Sequence, residues 1–130
     1  MKLLIVDDSP EIVEILSSMM ELIGHEVSKA YDGTEAVKQL LNNGYEVVIT
    51  DAKMPIMDGV ELCKFIKSKF PGVYIIGISG YSDALKQLKD AGADICFSKP
   101  FKIEEVEEAI EKRFRSCSPA FDGTALRLTA

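Results

Sequence analysis

Several apolar runs in this chain end abruptly at charged residues, and this pattern constrains the fold more than any other feature. Runs of this length are typical of buried strands in a parallel sheet. Because ligands bind at the carboxyl edge of such sheets, the charged residues are expected to lie together at one edge. They are Asp7 and Asp8, Asp51, and Lys99, which follow the runs 3–6, 47–50 and 95–97 respectively.

The charges at this predicted edge indicate a particular chemistry. The carboxylates of Asp7, Asp8 and Asp51 would repel one another, which favours a hard divalent cation such as Mg²⁺ among them. The ammonium group of Lys99 beside them would suit a phosphoryl group. Together these groups predict phosphoryl chemistry on an aspartate.

Strand and helix patterns alternate five times along the chain, which predicts an α/β fold with a doubly wound, five-stranded parallel sheet and helices on both faces. Capping-box patterns at Asp32 with Glu35 and at Asp58 with Glu61 are expected to open helices two and three. The predicted strands cover about 2–6, 26–30, 45–50, 73–78 and 94–98, and the predicted helices about 10–23, 32–42, 58–69, 82–91 and 103–114.

Composition limits the classes of function. The chain has 130 residues, which fits one domain, and 47% hydrophobic residues, which suffice for a core. Its net charge of −6 opposes direct nucleic-acid binding, which usually needs a basic face. No apolar stretch is long enough to span a membrane, and the N-terminus shows no signal-peptide pattern, so we expect a cytoplasmic location.

Motifs stand in a fixed order along the chain: Asp7-Asp8, the loop from Asp51 to Gly59, Ser79-Gly80 and Lys99-Pro100-Phe101. This ordered set resembles the receiver domain of two-component response regulators, over about residues 1–115. Any one motif alone is weak, but the full set in this order is specific. The resemblance implies a flavodoxin-like (βα)5 fold with strand order 2-1-3-4-5. Residues 116–130 lie beyond it and are expected to be a mobile tail, the start of a linker or a cloning remnant.

The resemblance also implies a role for each matched residue. Asp51 would be the phosphoacceptor, attacking a phosphohistidine donor to form an acyl phosphate. Ser79 would hydrogen-bond one phosphoryl oxygen, and Lys99 would pair with another. The Mg²⁺ ligands would be Asp8 and Asp51 directly, Asp7 through water, and the backbone carbonyl of Lys53.

The implied partners are a histidine kinase or a histidine phosphotransfer domain as donor, and a downstream protein bound at the helix four, strand five and helix five face. Such a chain would catalyse only its own phosphorylation and dephosphorylation. Two alternatives stay open: a phosphorelay intermediate with little conformational output, and a receiver-like interaction domain that works without phosphorylation. An aspartyl-phosphate hydrolase is disfavoured, because Ser9 and Lys53 stand where such enzymes need a second acid.

The chain departs from the family at the switch position, three residues before the lysine, where Cys96 replaces the usual Tyr or Phe. A thiol cannot perform the swing of an aromatic ring. Phe97 is adjacent, but strand alternation predicts that it faces the opposite side of the sheet. Lys53 and Tyr81 are predicted to flank the phosphoryl group, and Cys96, Tyr81 and Phe101 are assigned to the switch and partner-binding face.

Overall fold

A computed structural model describes residues 1–115 as a five-stranded parallel sheet in the order β2-β1-β3-β4-β5, with a helix after each strand. The predicted doubly wound (βα)5 fold and its strand order are therefore confirmed. The predicted tail, 116–130, lies outside the described residues. The strands are β1 Lys2–Val6, β2 Glu26–Ala30, β3 Val47–Asp51, β4 Tyr74–Ser79 and β5 Ile95–Ser98; the helices are α1 Pro10–Ile23, α2 Gly33–Asn42, α3 Gly59–Lys69, α4 Ser82–Ala91 and α5 Ile103–Arg115.

The third and fourth strands lie slightly later in the chain than predicted. Tyr45 was expected to begin β3, but its ring is buried and its hydroxyl bonds the Gln39 side chain of α2 at 3.1 Å, so it belongs to the connection before the strand. At the other end Asp51 pairs with Ile78 in the β3–β4 ladder. Asp51 and Ser79 are therefore the last residues of their strands, held by the sheet itself.

The sheet separates two apolar cores. Alternation along β1 sends Leu4 and Val6 toward α2, α3 and α4, and sends Leu3 and Ile5 toward α1 and α5. All four side chains are fully buried, and burying each such side chain stabilises the fold by about 2 kcal/mol. Burial on both faces explains why β1 reads as a continuous apolar run.

The helix termini differ in how firmly they are capped. The predicted capping box at Asp58 and Glu61 is complete, with both reciprocal hydrogen bonds present. Asp32 caps α2 as predicted by accepting from the Glu35 backbone N–H, although the Glu35 carboxylate accepts from the Tyr31 N–H rather than from that of Asp32. The N-cap of α4, Tyr81, makes no side-chain capping bond. Within 1–115 no helix is long and apolar enough to cross a membrane.

Candidate functional site

The parallel strands bring the predicted charged residues together at the carboxyl edge of the sheet. Carboxylate oxygens of Asp7, Asp8 and Asp51 lie within 4.8 Å of one another. Asp7 and Asp51 are 1% and 8% exposed, whereas Asp8 is exposed to solvent. The adjacent positions of β1 and β3 in the sheet produce this cluster, because each strand ends at about the same level.

Lys99 reaches across the sheet edge to both buried carboxylates. Its Nζ lies 3.2 Å from Asp7 Oδ2 and 3.1 Å from Asp51 Oδ1. Burial alone would lower the pKa of Lys99, but the charges of Asp51 and Asp7 together raise it above its ordinary value. Lys99 is therefore held as a cation directly beside the carboxylate of Asp51.

Asp7 is a buried carboxyl group whose pKa is shifted by its surroundings. Burial raises the pKa of Asp7, and the nearby Asp51 adds to the rise, against the opposing effects of the Ser9 N–H bond and Lys99. Because its folded-state pKa is raised, the stabilising contribution of protonated Asp7 is lost as the pH rises from the ordinary value of 3.8 through the raised pKa. A bound cation would offset this repulsion at neutral pH.

The donor set of the cluster suits a hard cation. All its side-chain ligands are carboxylate oxygens, which Mg²⁺ prefers, and Mg²⁺ commonly takes only one or two carboxylates and keeps several waters. The exposure of Asp8 leaves the cluster open to solvent for those waters. The backbone carbonyl of Lys53 as a further ligand stays a prediction.

Ser79 completes the edge on the side of β4. It is 2% exposed, and its Oγ accepts a hydrogen bond from the Tyr81 backbone N–H at 3.1 Å. The backbone carbonyl of Ser79 accepts from the Lys99 N–H at 2.8 Å. The predicted hydroxyl and the predicted lysine are thus fixed to each other through the backbone.

The two side chains predicted to flank the site contact each other. Lys53 Nζ lies 5.6 Å from the centre of the Tyr81 ring, within the range of a cation–π interaction. Both residues are exposed, Tyr81 by 66%. The loops after β3 and β4 are therefore joined by a side-chain pair that the sequence alone placed as two separate residues.

The switch position faces α4, and a leucine packs beside it. The Cys96 thiol donates to the Leu85 carbonyl of α4 at 3.7 Å, and Phe97 packs on the opposite face of the sheet as predicted. Cys96 pairs with Gly77 of β4. A Cβ at Gly77 would lie 2.8 Å from Leu88 Cδ1 and 3.2 Å from Cys96 Sγ. We call the space between these small residues the Gly77–Cys96 notch; buried Leu88 lies against it.

Sequence reasoning missed an apolar groove beside Lys99. The apolar positions of α1 follow helical spacing, but Ile15 and Met19 are 60% and 41% exposed. The groove has a volume of about 470 Å³. Eight apolar positions, Pro10 aside, in a helix of 14 residues are more than one buried stripe requires, and this excess was the available signal. The groove is lined by Ile12, Ile15, Leu16, Met19, Lys99, Pro100, Phe101 and Ile103.

Comparisons with known proteins identify a family for this chain. Residues 3–111 match the family model of the response regulator receiver domain. The chain is 35% identical to a CpxR homolog, a transcriptional regulatory protein of Haemophilus influenzae, over 98% of this chain and 61% of that protein. It is 28% identical to the response regulator MprA of Mycobacterium avium, over 99% of this chain and 58% of that protein. The chain thus spans about 60% of the length of these curated relatives.

Solved structures share the fold. The response regulator TrrA of Thermotoga maritima, solved in complex with Mg²⁺ and BeF, superposes with a TM-score of 0.79 at 33% identity, covering 85% of this chain and 96% of that one. A CheY-like receiver domain protein of Methanospirillum hungatei gives a TM-score of 0.83 at 28% identity, covering 88% and 94%.

Proposed function

The chain belongs to the family of response regulator receiver domains, and on that premise we propose that it accepts a phosphoryl group on Asp51 and thereby changes its binding to a protein partner. The donor in this proposal is a histidine kinase or a histidine phosphotransfer domain, and the reaction requires Mg²⁺. The observation that most supports this proposal is the position of Lys99, whose ammonium group contacts the buried carboxylates of both Asp7 and Asp51.

The geometry supports a division of labour among the residues. Phosphoryl transfer depends mainly on positioning and on neutralising the charge of the phosphoryl oxygens. Bound Mg²⁺ would supply part of that neutralisation. Asp8 and Asp51 would hold the ion directly, and Asp7 would hold it through water. In this proposal the Asp51 carboxylate attacks phosphorus, the donor histidine leaves, Lys99 pairs with one transferred oxygen, and the Ser79 hydroxyl donates to another.

The same proposal covers partners and location. The acidic net charge of −6 opposes direct contact with nucleic acid, and we place the chain in the cytoplasm, where the donor's phosphohistidine is made.

A hydrolase acting on other molecules lacks support, because Lys53 stands where a second acid would be required. The downstream partner would bind the α4, β5 and α5 face.

Mass spectrometry of the intact chain tests this function. With Mg²⁺ and a small phosphodonor such as acetyl phosphate, we expect one added phosphoryl group, and peptide mapping should place it on Asp51. Removing Mg²⁺ with a chelator should prevent the modification, because Lys99 alone cannot neutralise both the acid cluster and the incoming phosphoryl oxygens. Modification at another residue, or at Asp51 without Mg²⁺ at an equal rate, would contradict the proposal.

The Lys53–Tyr81 pair leads to a prediction about the lifetime of the phosphoryl group. Hydrolysis needs a water in line with the Asp51 oxygen, and we expect the pair, which joins the loops after β3 and β4, to flank that approach. Replacing both residues by alanine is expected to speed loss of the phosphoryl group by at least about 3-fold. This factor corresponds to the free energy of one exposed cation–π contact, which holds the pair together. Time-resolved mass spectrometry after removal of the donor measures the decay. Lys102→Ala, an exposed lysine beyond the site motif, is the control, and an unchanged rate in the double variant would remove the steric argument.

A further inference from the structure

One residue near the site has a costly backbone conformation and no buried contacts to explain it. Ile56 has φ 72°, and within residues 1–115 it is the one non-glycine residue with a positive φ. A β-branched side chain is a genuine outlier in this region, because its Cβ crowds the backbone. Ile56 is also 82% exposed, so packing in the core does not compensate for the strain.

The loop around Ile56 is held in place by hydrogen bonds on both sides. The Met57 N–H donates to the Pro55 carbonyl at 2.8 Å, which closes a three-residue turn with Ile56 at its centre. The Met57 carbonyl accepts from the Gly33 N–H at 3.1 Å, and a Cβ at Gly33 would lie 2.5 Å from that carbonyl oxygen. The Gly59 N–H donates to the Ala52 carbonyl at 2.9 Å. The strain persists because the surrounding structure fixes the turn.

The identity of the side chain is therefore separable from the shape of the loop. Asn or Gly would adopt the same turn with less strain. The chain instead places an apolar, branched side chain in solvent on a backbone that hydrogen bonds hold in place. Because the backbone is already ordered, it loses little conformational entropy when a partner covers the side chain.

The position of Ile56 favours one kind of partner. It lies five residues after Asp51, in the loop that leads to α3 and is bonded to the start of α2. The apolar groove along α1 and Phe101 lies on the other face of the sheet. A protein that brings a phosphohistidine within bonding distance of Asp51 must cover the loops around it. A downstream partner has no such requirement.

We propose that Ile56 is an apolar anchor that contacts the phosphodonor protein and sets the rate of phosphotransfer from it. The proposal rests on the proposed function, and it adds a recognition residue on the α2 and α3 side of Asp51. The donor's complementary surface is a small apolar pocket beside its phosphohistidine.

Phosphotransfer from two kinds of donor tests the proposal. The histidine kinases encoded by the source genome are purified, autophosphorylated and screened, and the one that labels the wild-type chain fastest is the protein donor. The small donor is acetyl phosphate. Ile56→Asn is expected to slow transfer from the kinase by at least about 10-fold, as for loss of an interface anchor. Labelling by acetyl phosphate should be unchanged. Ile56→Val, which keeps an apolar branched side chain, should retain most of the kinase rate.

Controls separate this inference from the function beneath it. Leu41→Asn removes an apolar side chain that is 59% exposed near the end of α2, away from the site, and should leave both rates unchanged. Equal loss of both rates in Ile56→Asn would show an effect on Asp51 itself and overturn the proposal. Unchanged transfer from the kinase would overturn it too. If the variant instead lost self-association in ultracentrifugation while transfer stayed unchanged, Ile56 would contact a second copy of the chain and not the donor. Failure of acetyl phosphate to label the wild type would instead refute the proposed function.

Discussion

Asp51→Asn is expected to abolish phosphorylation of the chain by both protein and small-molecule donors. The amide is isosteric with the carboxylate, so the fold should persist, but it lacks the anionic oxygen that attacks phosphorus. Asp7 cannot replace it, because that carboxylate is 1% exposed and already bonds the Ser9 N–H and Lys99. Intact-mass measurement in Mg²⁺ and acetyl phosphate provides the readout. Undiminished labelling of the variant would contradict the assignment of Asp51 as the phosphoacceptor.

Asp8→Ala is the informative comparison for that experiment. Asp8 is exposed and contributes a carboxylate oxygen to the cluster, so its loss should weaken Mg²⁺ binding while leaving Asp51 able to react. Labelling should then recover when the Mg²⁺ concentration is raised. A variant at Asp51 cannot recover in this way, so the two roles are distinguished by their response to Mg²⁺.

The sequence predicted the site because its residues follow strands. A run such as 3–6 is typical of a strand that a parallel sheet buries on both faces, and the sheet then brings Asp7, Asp51 and Lys99 together at one edge. The contact of Lys99 with two carboxylates follows from this topology and from little else. The ends of β3 were less predictable, because Tyr45 is apolar enough to read as a strand residue and is buried by α2 instead.

The features that sequence reasoning missed depend on tertiary contacts. Gly77 reads as an ordinary residue of a strand until Leu88 is placed 2.8 Å from its would-be Cβ. Ile56 carries no sign of a positive φ, which a Gly or Asn would have signalled. Exposed Ile15 is indistinguishable from a core residue when only helical spacing is considered.

Substitutions at the Gly77–Cys96 notch and at Leu88 are expected to lower the stability of the fold. Gly77→Ala would crowd the buried Leu88 side chain, since its Cβ would lie 2.8 Å from Leu88 Cδ1 and 3.3 Å from Leu88 Cβ. We expect this overpacking to reduce the free energy of unfolding by about 2 kcal/mol, and Leu88→Ala, which leaves a cavity, to reduce it by about 3 kcal/mol. Urea unfolding measures both. Gly72→Ala, whose Cβ meets nothing within 4 Å, is the matched control and should change stability little.

The same variants test how the phosphorylation signal leaves the site. Cys96 is too small for an aromatic rotamer switch, so we expect Ser79 to move toward the phosphoryl group and to shift Tyr81 and the weakly capped α4, with Leu88 moving in the notch. Amide exchange with Mg²⁺ and beryllium fluoride should then change across residues 79–91, and Gly77→Ala should raise exchange in α4 even without the analogue. Changes confined to residues lining the acid cluster would contradict this model and favour a phosphorelay intermediate, because a relay needs the acyl phosphate but no moving helix.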